Sequence, residues 1–351
     1  MVGSRFRATL WSGTPESWVN LHPAGALVSG MSNALATNGT HQVGFAQFQI
    51  GSLIVDRAAL WSGTAASFVD LSPTASESAI AWAISDDGTQ QVGGAYVGNL
   101  QRASTWSGTA ASWVDLNPVG STQSFAFGTT GSQQAGWAVV GGATRASLWS
   151  GTAASWVNLN PAGAAESLLV TTNGTQQVGQ ALIDGIYRAG LWSGTAESFV
   201  DLHPAGFEES ASRDLLGTQQ IGWVLTDDFV YKASLWNGTA SSWFDLSSVL
   251  TGSWGDTEAS SIWSDGSTVY IAGYGFNNDT GRGEALIWTI SAGCNDADLA
   301  EPFGVLDLAD VQAFIAGFVA QDPIADLAPP TGVWDLADVQ AFVAGFTAGC
   351  P

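Results

Sequence analysis

The fold class this sequence predicts is an all-β propeller of four-stranded antiparallel blades, followed by a small all-α module. Three observations predict it. First, the phrase Arg-Ala-x-x-Trp-Ser-Gly-Thr-x-x-Ser-Trp/Phe-x-Asp/Asn-Leu recurs, with its leading tryptophan at Trp11, Trp61, Trp106, Trp149, Trp192, Trp236 and, in a degraded copy, Trp288. Successive copies lie 43 to 52 residues apart, and a period of that length marks units that cannot bury their own apolar faces alone. Second, 43 glycines and 17 tryptophans in 351 residues suit short strands joined by tight turns. Third, the composition changes after Trp288: residues 294–351 hold nine acidic residues and no lysine or arginine.

Residues 165–204 show the unit in order. Ala165 to Thr172 reads as strand A, and Asn173-Gly174 as a turn. Gln176 to Leu182 is strand B, rich in small residues, and a variable loop is expected over Ile183 to Tyr187. Arg188 to Trp192 is strand C, Ser193 to Ser198 a hairpin loop, and Phe199 to Leu202 strand D. His203-Pro204 ends it, because proline cannot extend a ladder. Four short strands per repeat is the pattern of a propeller blade. With Trp149 set opposite Trp156, Ala146, Leu148, Val157 and Leu159 share one face; Arg145, Ser147, Trp149, Trp156 and Asn158 share the other.

Six of the nine cations occupy one repeat position: Arg7, Arg57, Arg102, Arg145, Arg188 and Lys232. Thirteen residues after each comes Asn20, Asp70, Asp115, Asn158, Asp201 or Asp245, a diagonal neighbour in that register. The last copy lacks strand D, and Glu284 replaces the cation there. These are read as repeated structural pairs rather than a ring of ligand-binding arginines. Six A–B–C sets are present. Strand D at Trp18 to Leu21 can close the last blade, which favours six blades; missing N-terminal strands would make seven.

Ala146 to Thr152, Val157 to Pro161 and Gly174 to Gly179 carry a resemblance to extracellular propeller repeats of the HAF type, and more loosely to kelch repeats. It spans 1–290, implies the fold, and says almost nothing about activity. The propeller domain is therefore placed at 1–291 and the second domain at 292–351.

The second domain holds an internal duplication, Ala297 to Phe314 matched by Ala325 to Phe342, each a loop and then an amphipathic helix. Val311, Phe314, Ile315 and Phe318 mark one apolar stripe; Val339, Phe342, Val343 and Phe346 mark the other. Calcium loops present several hard oxygens and end on an acid of the following helix. Asp298, Asp307 and Asp310 with a carbonyl near Val305 offer such a set, and Asp326, Asp335 and Asp338 with a carbonyl near Val333 repeat it. The same aspartates also suit plain helix caps. The module resembles dockerin modules, closest to the variant framed by Gly-Cys at the C-termini of secreted planctomycete proteins; Gly293-Cys294 and Gly349-Cys350 are that frame. The resemblance implies calcium as the cofactor and a cohesin-like or cell-surface protein as the partner of 292–351. It departs at the third and fifth loop positions, which hold Ala300, Pro302, Ala328 and Pro330 in place of oxygen ligands, and each loop is one residue longer than usual.

The two cysteines, Cys294 and Cys350, bracket the module. A bond between them closes a 57-residue loop, worth roughly 4 kcal/mol in the chain-entropy model, and suits an oxidising compartment. The expected location is extracellular or cell-surface. The chain shows no secretion signal, and its start falls within a repeat, so a segment upstream of Met1 is expected.

The net charge is −22, from 9 basic and 31 acidic side chains. Nucleic-acid binding needs a cationic stripe, which is missing, and no run of apolar residues is long enough to span a bilayer. His22 and His203 read as turn residues and His41 as a strand position. The acidic pairs Asp86/Asp87, Asp227/Asp228 and Glu208/Glu209 read as solvated turns rather than glycosidase acids. Where strand B departs from the consensus stand Tyr96, Trp137, Trp223 and Tyr274. They can line one mouth of the propeller and receive a glycan or peptide, or pack between blades. The reading is a binding or scaffold propeller, with a carbohydrate-active enzyme and a glycan-binding module as alternatives. Protein made in an oxidising compartment is expected to carry the Cys294–Cys350 disulfide; two free thiols by intact-mass analysis would remove the cysteine argument for secretion.

Overall fold

The computed structural model describes residues 6–266, 268–291, 295–300 and 306–349. Cys294, Cys350, Val305 and Pro302 lie outside them. The chain divides into two compact units, one of Met1–Ser260 with Tyr274–Glu284, the other of Ser261–Gly273 with Ala285–Pro351. Five sheets have four antiparallel strands in sequence order, the blade unit of a propeller. The sheet at the sample repeat is formed by Glu166–Thr172, Gln177–Ile183, Ile186–Trp192 and Val200–Asp201, matching strands A to D. Strand B ends one residue later than expected and strand C begins two residues earlier, because the variable loop is a two-residue turn. Asp184 and Gly185 both take positive φ, 53° and 81°, the primed geometry that suits a tight hairpin.

The other A strands are Ser32–Thr37, Ser78–Ile84, Ser124–Thr129 and Glu209–Leu216. At the N-terminus Val19–Asn20 pairs with Thr9–Leu10 in a two-stranded sheet of its own. Trp254–Ser264, Thr268–Asn277 and Arg282–Ser291 form a three-stranded sheet. Strand D near the N-terminus thus stays with its own hairpin instead of completing the last sheet.

Ser147 pairs with Asn158 and Leu148 with Val157, the register that sets Trp149 opposite Trp156. One face of this sheet, with Ala146, Leu148 and Leu159, packs on Leu169, Ala181 and Trp192 of the following sheet. The other face sends Trp149 into Val92, Ala103 and Leu116 of the preceding sheet. Trp61, Trp106, Trp149, Trp192 and Trp236 are all fully buried in this way.

The polar letters of the repeat also have assigned tasks. Ser155 Oγ donates to the Thr152 carbonyl (2.7 Å) and accepts the Ser150 N–H (2.8 Å), closing the C–D loop. Gln134 Oε1 accepts the Gly151 N–H at 2.7 Å, and Gln42, Gln91, Gln177 and Gln220 repeat that bond to their own loop glycines. In three hairpins where strand D opens with Trp, its indole donates to a strand C serine: Trp113 to Ser104, Trp156 to Ser147 and Trp243 to Ser234. Where it opens with Phe, at Phe68 and Phe199, the facing residues are Ala59 and Gly190, and a Cβ at Gly190 would lie 2.5 Å from the Phe199 ring.

Three of the six cation pairs form ion pairs: Arg57–Asp70 at 2.9 Å, Arg102–Asp115 at 2.6 Å and Arg188–Asp201 at 2.9 Å. Where the partner is asparagine, Arg7 turns to the Val28 and Gly30 carbonyls and Arg145 to the Ala165 carbonyl. Lys232 makes no ion pair with Asp245, which caps the turn at Leu246–Val249 through the Ser247 N–H. Asp and Asn interchange at this position because its first task needs only an oxygen. Oδ1 accepts the N–H two residues on, as in Asn20 to His22, Asp115 to Asn117 and Asn158 to Asn160.

Each A strand carries one bulge, opposite the glycine of the Gln-Val-Gly or related segment. The register shifts between Ala34 and Ala36, Ala81 and Ala83, Ala126 and Gly128, Leu169 and Thr171, and Ser212 and Asp214. The inserted residues are Leu35, Trp82, Phe127, Val170 and Arg213. A bulge brings the strand backbones together, so a Cβ at Gly136 would lie 2.0 Å from the Phe125 carbonyl oxygen. Gly44, Gly93, Gly179 and Gly222 meet a carbonyl at 1.9, 2.0, 2.0 and 2.0 Å. The obstacle is backbone and cannot rotate away. Gly136→Ala is therefore expected to cost about 3 kcal/mol, read as a lowered midpoint in denaturant unfolding; an unchanged midpoint would show that the bulge can relax.

Candidate ligand-binding site

The bulges decide where the repeats differ in chemistry. Four of the inserted residues, Trp82, Phe127, Val170 and Arg213, line one cavity of about 470 Å³ together with Leu168, Gln180, Tyr187, Glu209, Trp223 and Tyr231. That volume lies within the range of small-molecule sites, about 300–1,000 Å³. Trp82 sets its ring edge-on to Phe127, with centroids 5.3 Å apart. Trp223 meets Tyr231 edge-on at 4.9 Å. The Arg213 guanidinium stands 5.9 Å from the centre of the Trp223 ring, which fixes the cation over an aromatic face. Arg213 makes no ion pair among the described residues, although Glu209 lines the same cavity.

Of the four strand B aromatics expected at a mouth, Trp223 lines this cavity; Tyr96, Trp137 and Tyr274 do not. Trp137 sits half-buried opposite Phe125. Tyr96 is largely exposed. The Tyr274 hydroxyl donates to Glu258 Oε1 at 2.9 Å, and desolvation together with that carboxylate pushes the phenol up to about 12. Of the acidic pairs, Asp87 closes a turn, accepting the Ser85 hydroxyl (2.6 Å) and the Thr89 N–H (3.0 Å). Glu209 enters the cavity instead of a solvated turn. The signal that sequence reading missed is the A-strand position of each bulge, where Leu, Trp, Phe, Val and Arg stand in otherwise regular repeats.

The histidines hold turns. His203 Nδ1 lies 2.9 Å from Ser210 Oγ, and that oxygen accepts the Ala189 N–H at 2.8 Å. His22 contacts Ser32 Oγ at 2.8 Å, and Ser32 accepts the Ala8 N–H. Asn160 and Asn117 fill the same place, accepting from Ser167 and Ser124. Burial lowers the pKa of His203, Arg188 adds to this and Asp201 opposes it; burial and Arg7 do the same to His22.

In the C-terminal module α1 (Leu308–Ala320) and α2 (Leu336–Ala348) stack Phe314 on Phe342 at 4.2 Å. Ala297, Ala325, Val311, Phe318, Val339 and Phe346 pack around them. Ile315 and Val343 fall outside this core; both are exposed. Asp310 and Asp338 are fully buried, and their oxygens are already engaged. Asp310 Oδ1 accepts the Leu299 and Ala300 N–H groups and Oδ2 the Asp307 N–H, at 2.7, 2.9 and 2.8 Å. Asp338 accepts from Leu327, Ala328 and Asp335 at 2.8, 2.9 and 2.9 Å. Burial alone would raise the Asp310 carboxyl, yet the three backbone donors hold it below its ordinary range. For Asp338 the Asp335 N–H leads the same lowering. Asp307 and Asp335 cap the helices through Ala309 and Ala337.

The resemblance implies calcium, and the implied donors differ in how far they are already engaged by the chain's own N–H groups. Asp326 Oδ2 accepts the Gly332 N–H, while its Oδ1 is buried without a partner; Asp298 is buried; Val333 is exposed. Among the described residues no three His, Cys, Asp or Glu side chains converge as a metal site.

No family model matches this chain, and no curated protein matches it. Solved structures match in fold. One is a puromycin hydrolase S511A mutant complexed with PGG, 13% identical over 90% of this chain and 60% of that one, TM-score 0.53. Another is a puromycin-hydrolyzing peptidase of Mycobacterium tuberculosis, 14% identical over 70% of this chain and 46% of that one, TM-score 0.50. The β-propeller domain of the Trilobed protease from Pyrococcus furiosus is 10% identical over 75% of this chain and 86% of that one, TM-score 0.44. The chain thus spans less than two thirds of the puromycin hydrolase chain and under half of the puromycin-hydrolyzing peptidase chain. At these identities the likeness is one of fold.

Asp338→Asn puts an amide N–H₂ against backbone donors and is expected to cost about 2 kcal/mol. In the intact chain, hydrogen exchange across α2 should quicken in the variant, and exchange of the parent should be the same in millimolar calcium and in chelator. Calcium-dependent slowing would show that the loops take the ion.

Proposed function

We propose that this protein is an extracellular or cell-surface β-propeller that binds a ligand in the cavity of Trp82, Phe127, Val170 and Arg213, displayed through its C-terminal module. The observation that carries the reading is the placement of the bulges. The inserted residue of four consecutive sheets faces one space, and those are the positions where the repeats stop agreeing. A structural array has no use for an aromatic, an aromatic, an aliphatic and a cation at equivalent positions. A site built from several blades does.

Binding is favoured over glycoside hydrolysis because Glu209 is the one carboxylate among the cavity's lining residues, whereas hydrolysis of that kind uses a pair. Display through 292–351, with a cohesin-like or cell-surface protein as partner, rests on the likeness of that segment to dockerin modules. The two duplicated helices and the flanking cysteines support it.

A thermal-shift screen of sugars, peptides and small metabolites tests the cavity. Ligands that bind only the folded form raise its melting temperature by mass action. The expected result is a set of compounds that stabilise the parent chain and leave Trp82→Ala unshifted. If every stabilising compound acts equally on both proteins, the cavity is not the site.

A further inference from the structure

Resting on that reading of the cavity, we infer that its ligand class is a neutral carbohydrate, one or two pyranose rings seated on Trp82 between Arg213 and Glu209. The lining carries one cation and one anion, so it is neutral in sum and selects for no net charge. The surrounding chain, at −22, repels anionic ligands from a distance. A purely apolar ligand would strip water from Arg213, Glu209 and Gln180 and return no hydrogen bonds, a costly exchange for charged groups. A ring bearing several hydroxyls returns them.

The available polar groups suit that chemistry. Guanidinium, carboxylate and amide each present two atoms in one plane, the spacing of adjacent ring hydroxyls. Arg213 is held over Trp223 with no ion pair among the described residues to break first, so its donors are positioned in advance. The phenols of Tyr187 and Tyr231 add single contacts. The apolar C–H face of a sugar needs an open aromatic surface, and Trp82 is 39% exposed where Trp61, Trp106, Trp149, Trp192 and Trp236 of the four-stranded sheets are 0% exposed.

The test is calorimetric titration of the full chain with neutral methyl pyranosides and trisaccharides of glucose, galactose, mannose and xylose. Glucuronic acid and an uncharged blocked tripeptide with a central Phe form the comparison arms. The proposal expects at least one neutral sugar to bind, at least tenfold more weakly to both Trp82→Ala and Arg213→Gln, with glucuronic acid weaker than its neutral counterpart. Melting curves confirm that the variants fold; where Trp82→Ala does not, Trp82→Leu replaces it. If the tripeptide or glucuronic acid binds in place of neutral sugars and both variants abolish it, the cavity stands as the site and the sugar class is overturned. Neutral-sugar binding that ignores both variants overturns the cavity as its place. No binding by any probe at millimolar concentration overturns the carbohydrate assignment, and the wider thermal screen then decides the cavity itself.

Discussion

The five four-stranded sheets depend on one another for burial. Each has only four short strands, and most of its buried apolar residues lie at the seams between consecutive sheets. The strand C tryptophan is the main element of that seam. Trp149 enters the space between Val92, Ala103 and Leu116, and Trp192 repeats the arrangement one sheet later while donating its indole N–H to the Leu159 carbonyl at 2.9 Å. An aromatic of that size brings a large buried area per residue. The seams are then closed by hydrogen bonds that cross them. Ser167 accepts the Ala146 N–H and Ser210 accepts the Ala189 N–H. Stability of this kind accumulates by neighbour contacts and is shared along the array.

The ligand cavity is a by-product of the same construction. The Gln-Val-Gly glycine allows strand B to approach strand A at the bulge, and the bulge frees one residue per sheet from any pairing duty. That residue contributes nothing to the ladder, so its identity is open to selection for something else. In one sheet it is Trp82, in another Phe127, in another Arg213. Rigid backbone and variable chemistry are thereby placed side by side on the same strand.

The sequence made the repeat, the strand order, the C–D register and the Arg–Asp pairs legible, because each is local or recurs at fixed spacing. Three ion pairs followed from a thirteen-residue offset alone. The cavity was not legible in the same way. Strand B aromatics stand out in the sequence, but only Trp223 of the four reaches it. A bulge shifts the inside–outside alternation by one, and that shift leaves no mark beyond a glycine on the neighbouring strand. The contacts of the C-terminal aspartates were hidden for a similar reason. Their acids have calcium-loop spacing, yet spacing does not show whether an oxygen faces a cation or an amide. In Asp310 and Asp338 it faces amides.

The pairing of strand D aromatics with strand C bears on how such repeats can change. At Trp113, Trp156 and Trp243 the tryptophan that starts strand D stands against a serine that its indole reaches; at Phe68 and Phe199 the phenylalanine stands against alanine or glycine. Replacing Phe199 by tryptophan alone would add an indole N–H with no acceptor on Gly190. Replacing Ser147 by glycine alone would strand the indole of Trp156. Each step is disfavoured until the other has occurred, so the two sites are epistatic. An averaged repeat, taking the commonest residue at each position independently, arrives at tryptophan with serine and so keeps one matched solution, whereas a change at either position alone breaks it. The variation between repeats is therefore correlated, and the unit that can be exchanged between them is the hairpin, not the residue.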